Sequence, residues 1–430
     1  MSLFSLLKTR RQSAEVVALL CADSGSVTVG LAVLVPQVLP EIVWTSREPF
    51  FAGHDVKPER LEAVMIEVAG RGIKRLYTEG LDHLKFTRFG HGRISKAAVF
   101  LGSPWSSSEV KFVNLKKDEP FPITRELLAR IREDEIKKFL SSDDRAMYSQ
   151  GSGGALELIE ELVIDVSLNG YSTARPERKR TRTIDMTLAL GATSERIKQR
   201  IEETFRRELR VPKVSFHTSV TTAFLSIRDM FPERHDFLVV SIGSELSEIS
   251  IILNNILHET VSFPIGVNHL FRSIARKLDL SPAMARTEAL LSLAKGDTKT
   301  KDQSGQGRGR DYGESSKDRV SVANAGSVSK EIELFRDKWT KDFYGVIEIL
   351  SKDHILPRDI FVLIEEDLQS LISPCVGDAR FSQFGLGNEL CVSHFLNVEA
   401  LTTFCRLNRA VAHDTALICQ TVFMNHVHRP

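Results

Sequence analysis

At 430 residues, with 42% apolar and 26% charged side chains, the chain has the make-up of an ordinary soluble globular protein of about three domains. A formal net charge of +1 leaves no basic excess for neutralising phosphates, which argues against a general nucleic-acid binder. Five widely spaced cysteines (Cys21, Cys375, Cys391, Cys405, Cys419) contain no C-x-x-C pair, so buried thiols in a reducing compartment fit better than a zinc site.

The opening 2–7 (SLFSLL) with KTRR reads as a lead-in to the first strand, or as a short amphipathic turn touching a membrane surface. No secretory signal is visible, because the basic cluster follows the apolar residues. Residues 15–22 read as a strand, Asp23, Ser24, Gly25 and Ser26 as a tight polar turn, 27–34 as a second strand and 41–46 as a third. Pro36, Gln37, Pro40 and Glu41 interrupt this most apolar region and spoil a membrane span, so any membrane contact is expected to be peripheral. A helix over 58–70 places Leu61, Met65 and Val68 on one face; 73–77 and 96–102 read as strands.

From residue 97 the character changes. AAVFLGSPW reads as a strand running into a loop, 124–140 as a charged helix, 141–154 as a polar loop, and 158–168 as a strand ending at the turn signal Asn169-Gly170. The alternating TIDMTLAL (183–190) is a strand, and 194–209 a helix with Ile197, Ile201, Phe205 and Leu209 on one stripe. A strand over 214–217 and a helix over 220–231 follow.

The stretch 235–266 then repeats the opening layout. A strand over 236–242 breaks at Gly243-Ser244, and strands 249–253 and 256–263 are joined by Asn254-Asn255, a pair that tolerates the positive φ of a two-residue hairpin. Helices over 267–278 and 282–293 come next. Residues 295–329 carry almost no large apolar side chains and read as a disordered loop, with GRGRD as solvated linker rather than an RNA contact. Residues 330–350 form an amphipathic helix through Ile332, Phe335, Trp339, Phe343, Ile347 and Leu350. A strand over 359–364, a helix over 367–372, a strand over 391–395 and a helix over 413–427 complete the chain. His413, His426 and His428 lack metal-ligand spacing, and no Ser/His/Asp or Cys/His set clusters in a recognisable turn.

A strand–turn–strand–strand unit followed by helices, occurring twice, resembles the actin-like nucleotide-binding fold, where two such turns clasp the phosphates of one nucleotide. Taken in order, the elements are similar to the FtsA/PilM branch over nearly the whole chain apart from 295–329. The first turn fits that branch's D-x-G-[ST] pattern with Asp23, Gly25 and Ser26. FPIGVNHLFRSIARKL is similar to its I-P-x-G-G helix opening, and AAVFLGSP, ITRELLARI and LIEELVIDVSLNGYSTARPERKR resemble its small extra domain. The resemblance implies an α/β, duplicated actin-like (ribonuclease H-like) ATPase fold with a small α+β inserted domain of SHS2 type in the first half. It places the first half at 1–96 and 179–232, the inserted domain at 97–178, the second half at 233–398 with its loop at 295–329, and C-terminal helices at 399–430.

The implied nucleotide-binding positions are Asp23, Gly25, Ser26, Gly243, Ser244 and Gly266, with ATP and Mg as the implied cofactor. Three departures bear on chemistry. The branch's second turn is usually D-I-G-G-G-T-T-D, and here Ser241 replaces its acid and Glu245 a glycine that must approach phosphate. The Gly-Gly beside the adenosine matches Glu365-Glu366. These departures predict that nucleotide binding is weak or lost, with no catalytic or metal-ligating residue. The resemblance to FtsA implies a cytoplasmic scaffold at the inner face of the membrane in cell division, with a tubulin-like polymer tail as partner and self-association. A PilM-like pilus-assembly scaffold, recruited by a short membrane-protein tail, is the alternative; an actin-like ATPase or kinase is a further one.

Overall fold

The computed structural model describes residues 14–50, 58–90, 92–141, 155–301, 316–377, 390–408, 411 and 414–427. The opening stretch 2–7, most of the 141–154 loop, and His413 and His428 lie outside the described residues. Contacts divide the chain into unit 1, Met1–Glu233 with Val398–Pro430, and unit 2, Arg234–Asn397.

Unit 1 begins with β1 (Glu15–Ala22), β2 (Ser26–Leu34) and β3 (Glu41–Pro49), each antiparallel to the next. Helix α1 (Pro58–Arg75) runs through a π turn (Leu76–Gly80) into α2 (Leu81–Lys85). The strand expected over 73–77 is therefore helix. Met65, Ala69, Ile73 and Leu76 are all buried, and this spacing of three or four residues continues the helical stripe of 58–70. The stretch 73–77 is only IKRLY, and a run that short does not by itself separate helix from strand. β4 (Ile94–Leu101) pairs parallel with β1.

The inserted module comprises β5 (Ser106–Pro122), α3 (Arg125–Leu140), β6 (Leu156–Leu168), β7 (Tyr171–Ser172) and β8 (Arg180–Ser194). Its strands form an antiparallel sheet in the order β5-β8-β6-β7, with Phe139 of α3 packed against Ile184 and Leu188. The boundaries expected at 97 and 178 are thus displaced: β4 belongs to the first-half sheet, and β8 to the inserted one. The loop expected after Trp105 is the long strand β5. Its sequence alternates inward Val113 and Leu115 with exposed Phe112, Asn114 and Lys116, the pattern of a sheet with one face in water. Asn169 and Gly170 both take positive φ, 50° and 82°, at the β6–β7 turn.

The chain returns through α4 (Glu195–Leu209), β9 (Val214–Thr218) and α5 (Ser219–Met230). Ile201 and Phe205 of α4 join Met65 and Ile73 of α1 over one face of the sheet, against Ala18, Leu20, Val29 and Leu31.

Unit 2 opens with β10 (Phe237–Ile242), β11 (Ser247–Leu253) and β12 (Ile256–Phe263), then α6 (Val267–Leu278) and α7 (Pro282–Lys301). Asn254 and Asn255 take φ of 52° and 63°, as the hairpin requires. Helix α8 (Ser316–Asp353) leads to β13 (Asp359–Leu363), a single 3-10 turn (Glu366–Leu368), α9 (Gln369–Gly377) and β14 (Val392–Phe395). The loop expected over 295–329 is helical on both flanks, through Lys301 and from Ser316; residues 302–315 are outside the described ones. Buried Leu293 and Val328 anchor the flanks, and helix propagates from an anchored turn at little further cost.

The chain then re-enters unit 1 with α10 (Val398–Leu401), β15 (Arg406–Leu407) and α11 (Thr415–Val427). β15 pairs parallel with β3, while α11 sets Leu417 over Gly30 of β2 and its Cys419 carbonyl accepts from Ser226 Oγ of α5 at 2.8 Å. The sheet orders are β15-β3-β2-β1-β4-β9 in unit 1 and β12-β11-β10-β13-β14 in unit 2. β3-β2-β1-β4-β9 and β12-β11-β10-β13-β14 are one topology with the same strand directions, so the duplication extends from three strands to five. All five cysteines are buried and unbridged, and burial pushes Cys21, Cys405 and Cys419 up to about 12.

The unit 2 core centres on Trp339 of α8, which is fully buried, stacks on Phe343 at 5.2 Å, and donates Nε1–H to Ser247 Oγ at 3.0 Å. Ser247 Oγ in turn donates to the Ile265 carbonyl at 2.7 Å. Trp339→Ala is expected to lose about 3–5 kcal/mol, read as a lower urea midpoint for the unit 2 transition.

Candidate functional site

The first turn closes with the Asp23 N–H donating to the Ser26 carbonyl at 2.9 Å. Neighbouring groups occupy its other acceptors. Trp105 Nε1–H donates to the Asp23 carbonyl at 2.7 Å, and the Phe50 N–H to the Gly25 carbonyl at 2.8 Å. Arg47 donates to Ser26 Oγ at 3.0 Å and lies 3.9 Å from Asp414, which also accepts from Thr28 Oγ1 and caps α11 through the Leu417 N–H. Ser24 and Ser26 are buried. Of the three positions expected here, Asp23, Gly25 and Ser26, only the Asp23 side chain is part-exposed and able to face a ligand.

In unit 2 the second turn folds directly onto the start of α6. A helix N-terminus offers unpaired N–H groups and a positive dipole end, which is what makes it an anion site. Here those donors are spoken for: the Val267 N–H donates to the Gly243 carbonyl at 3.1 Å, Asn268 N–H to Ser244 at 2.8 Å, and His269 N–H to Gly266 at 3.1 Å. Gly266 makes the closure possible. A Cβ at this position would lie 2.4 Å from the carbonyl carbon and oxygen of Ser244 and 2.5 Å from the Glu245 nitrogen. Gly243, Ser244 and Gly266 are therefore brought together, and they clasp each other.

The Glu245 side chain supplies a charge of its own to the same helix end. Its Oε1 accepts from Asn268 Nδ2 at 2.9 Å and from Arg272 Nη1 at 2.7 Å. A resident carboxylate neutralises the cation that a phosphate would need and opposes any second anion. Ser241 sits within β10 opposite Glu248 of β11. At the end of β13, Glu365 pairs with Arg286 of α7 at 2.5 Å, and that guanidinium also lies over Phe271 at 5.5 Å. Glu366 opens the 3-10 turn. The residues of unit 2 thus do not fit Mg-ATP: the helix end is filled, its arginine is paired, and two acids stand where the resemblance puts the adenosine glycines. Among the described residues, no group of three or more His, Cys, Asp or Glu is placed to hold a metal ion.

Arg272 and Arg286 were not singled out from sequence. The spacing of Asn268 and Arg272, one helical turn apart, placed them on one face, but their partner comes from the preceding turn and only the fold reveals it. A second grouping also emerges. His217 of β9 lies 3.4 Å from Glu160 of β6 through Nδ1 and 3.2 Å from Ser215 Oγ through Nε2. Glu160 also accepts from the Thr218 hydroxyl at 2.7 Å and the Thr218 N–H at 3.3 Å, and the His217 ring stacks on Phe100. This strap ties the inserted sheet to β9. Ser, His and Glu side chains converge here, where the sequence suggests no such set.

Two sheets of one order and direction, the first carrying an inserted α+β module, define an actin-like ATPase fold. The PilM–PilN type IV pilus biogenesis complex contains a chain similar over 98% of this one and 99% of its own length, with a TM-score of 0.55 and 12% identity. The ethanolamine utilization protein EutJ from Carboxydothermus hydrogenoformans is similar over 96% and 89%, with a TM-score of 0.41 and 12% identity. The Aquifex aeolicus Ppx/GppA phosphatase is similar over 96% and 91%, with a TM-score of 0.33 and 11% identity. No family model and no curated protein matches the chain. Among the described residues, no helix is long and apolar enough to cross a membrane.

Two outcomes follow from this geometry. Gly266→Ala is expected to destabilise by about 1–3 kcal/mol, since backbone must move to admit the methyl group; a denaturant titration measures it. Burial, reinforced by Arg272, pushes the His269 imidazole below its ordinary value, and burial with His354 does the same to His258. The folded state favours both rings neutral, so their contribution is present above about pH 6.5 and is lost as pH falls below it. The melting midpoint should drop over that acid window, and His258→Gln with His269→Gln should flatten the drop.

Proposed function

We propose that this chain is a non-catalytic actin-like scaffold that holds protein partners at the inner, cytoplasmic face of a membrane. The observation that carries this reading is the self-filled α6 start, where the turn's carbonyls and Glu245 occupy the donors and the cation that phosphate would use. Phosphoryl transfer needs those groups free, together with a metal ligand and a positioned base. Pilus-type assembly is the favoured setting, because the PilM chain of the PilM–PilN complex is matched end to end. In that setting the partner is the tail of a membrane protein. The division reading rests on the FtsA-like NGYSTARP segment and takes a tubulin-like tail instead.

A thermal scan with and without millimolar Mg-ATP is expected to show no shift. Nucleotide at ~100 times its dissociation constant would add about 2.7 kcal/mol, so a clear rise in midpoint would overturn the reading. Titrating labelled tails of the two kinds by fluorescence anisotropy separates the settings: binding of the PilN-type tail alone is expected, and binding of the tubulin-like tail alone would reverse the order.

A further inference from the structure

In the unit 1 sheet β1, β3, β4 and β9 run the same way, so all four begin at one end, where β2 finishes. Three connections lie side by side along this end: the loop 35–40 between β2 and β3, the segment after α2 that enters β4, and 210–213 before β9. Strands stand about 4.8 Å apart, so the three intervals from β2 to β9 spread these connections over about 14 Å. Their tips are apolar. Val38 and Leu39 are exposed, and Phe86 is 89% exposed. A phenylalanine ring left in water beside two exposed aliphatic residues marks a surface for something else to cover.

The charge around these tips is one-sided. Residues 35–40, 86–93 and 210–213 contain no acidic side chain. Arg88 is held by Glu41 at the start of β3 at 3.1 Å, while the neighbouring Glu15 and Asp82 are matched by Lys96 at 2.7 Å and Lys85 at 2.5 Å. Arg93, Arg210 and Lys213 are exposed, and among the described residues no hydrogen bond or ion pair engages their side chains. The chain leading into β1 supplies an independent observation. It enters the sheet at this same end and carries Leu3, Phe4, Leu6 and Leu7, then Lys8, Arg10 and Arg11, with no acid before Glu15. Arg11 stands three residues from Ala14, a reach of at most about 11 Å, so its charge stays near the loops whatever path the segment takes.

We propose that this end of unit 1 docks on an anionic lipid surface. Phe86, Leu39 and Val38 enter the headgroup boundary, and Arg93, Arg210 and Lys213 meet the headgroup charges. Apolar tips standing on separate connections suit a planar lipid boundary, whereas a peptide partner needs a groove or an open strand edge. Such docking rests on the membrane-face reading above and lets the chain hold the bilayer directly as well as through a partner's tail.

The test is flotation of the full chain with phosphatidylcholine vesicles, with and without phosphatidylglycerol. Binding is expected only with the anionic lipid and should weaken with added salt. Leu39→Asp with Phe86→Asp, and separately Arg93→Glu with Lys213→Glu, should each weaken it at least about tenfold. Both pairs are exposed, so their melting midpoints should match the parent's, which separates a lost contact from a damaged fold. Tyr171→Asp, at an exposed aromatic of the inserted module, should leave binding unchanged. No binding to anionic vesicles, equal binding of all variants, or a dimer dissolved by Leu39→Asp with Phe86→Asp in place of vesicle binding would overturn the proposal. The Mg-ATP scan and the tail titration contain no lipid, so tail binding without vesicle binding would sink the lipid docking alone.

Discussion

The close approach of two backbone segments at Gly266 governs the arrangement of unit 2. With no Cβ in the way, the β10–β11 turn drops onto the start of α6, and its carbonyls take the first N–H groups of the helix. The exposed polar ends of a helix usually require water, a capping side chain or a ligand. Here main chain satisfies main chain, and Glu245 with Arg272 adds the charge that complements the dipole. A place that could have held an anion has become part of the fold's own hydrogen bonding.

The two units share a strand order but have diverged in what their first hairpin does. In unit 1 the turn is held from outside, by Trp105, Phe50 and the Arg47–Asp414 pair, which joins residues far apart in sequence. In unit 2 it is held from within, by the helix that directly follows. Neither arrangement leaves its turn idle, so a loss of ligand binding need not loosen the fold.

Much of this was legible in the chain because the central strands are buried on both faces and read as unbroken apolar runs, such as EVVALLCA and FLVVSI. Asn254-Asn255 and Asn169-Gly170 announced their turns through the positive φ they adopt. The strand β5 escaped notice because one of its faces is water-exposed and heavily charged, so its alternation carries few apolar residues. The stretch 73–77 misled because Ile73 and Leu76, read alone, do not show the helical stripe that begins with Met65 and Ala69 before them. In the candidate site, the departures at Glu245 and Glu365 were visible, but not their consequence. Whether an acid in a turn repels a ligand or satisfies a neighbour depends on Arg272 and Arg286, which reach it only through tertiary structure.

The chain leaves unit 1 after Glu233 and comes back at Val398. During synthesis, β1 and β2 emerge before unit 2, but the helix that covers their second face, α11, is made only after all of unit 2. Unit 2 is continuous and can complete its core while unit 1 still waits with apolar sheet exposed. Domains generally fold in the order they emerge, and exposed apolar strands in the interval favour aggregation. For this topology the sheet of β1 and β2 must therefore be protected while unit 2 is made, and the arrival of α11 decides when that exposure ends.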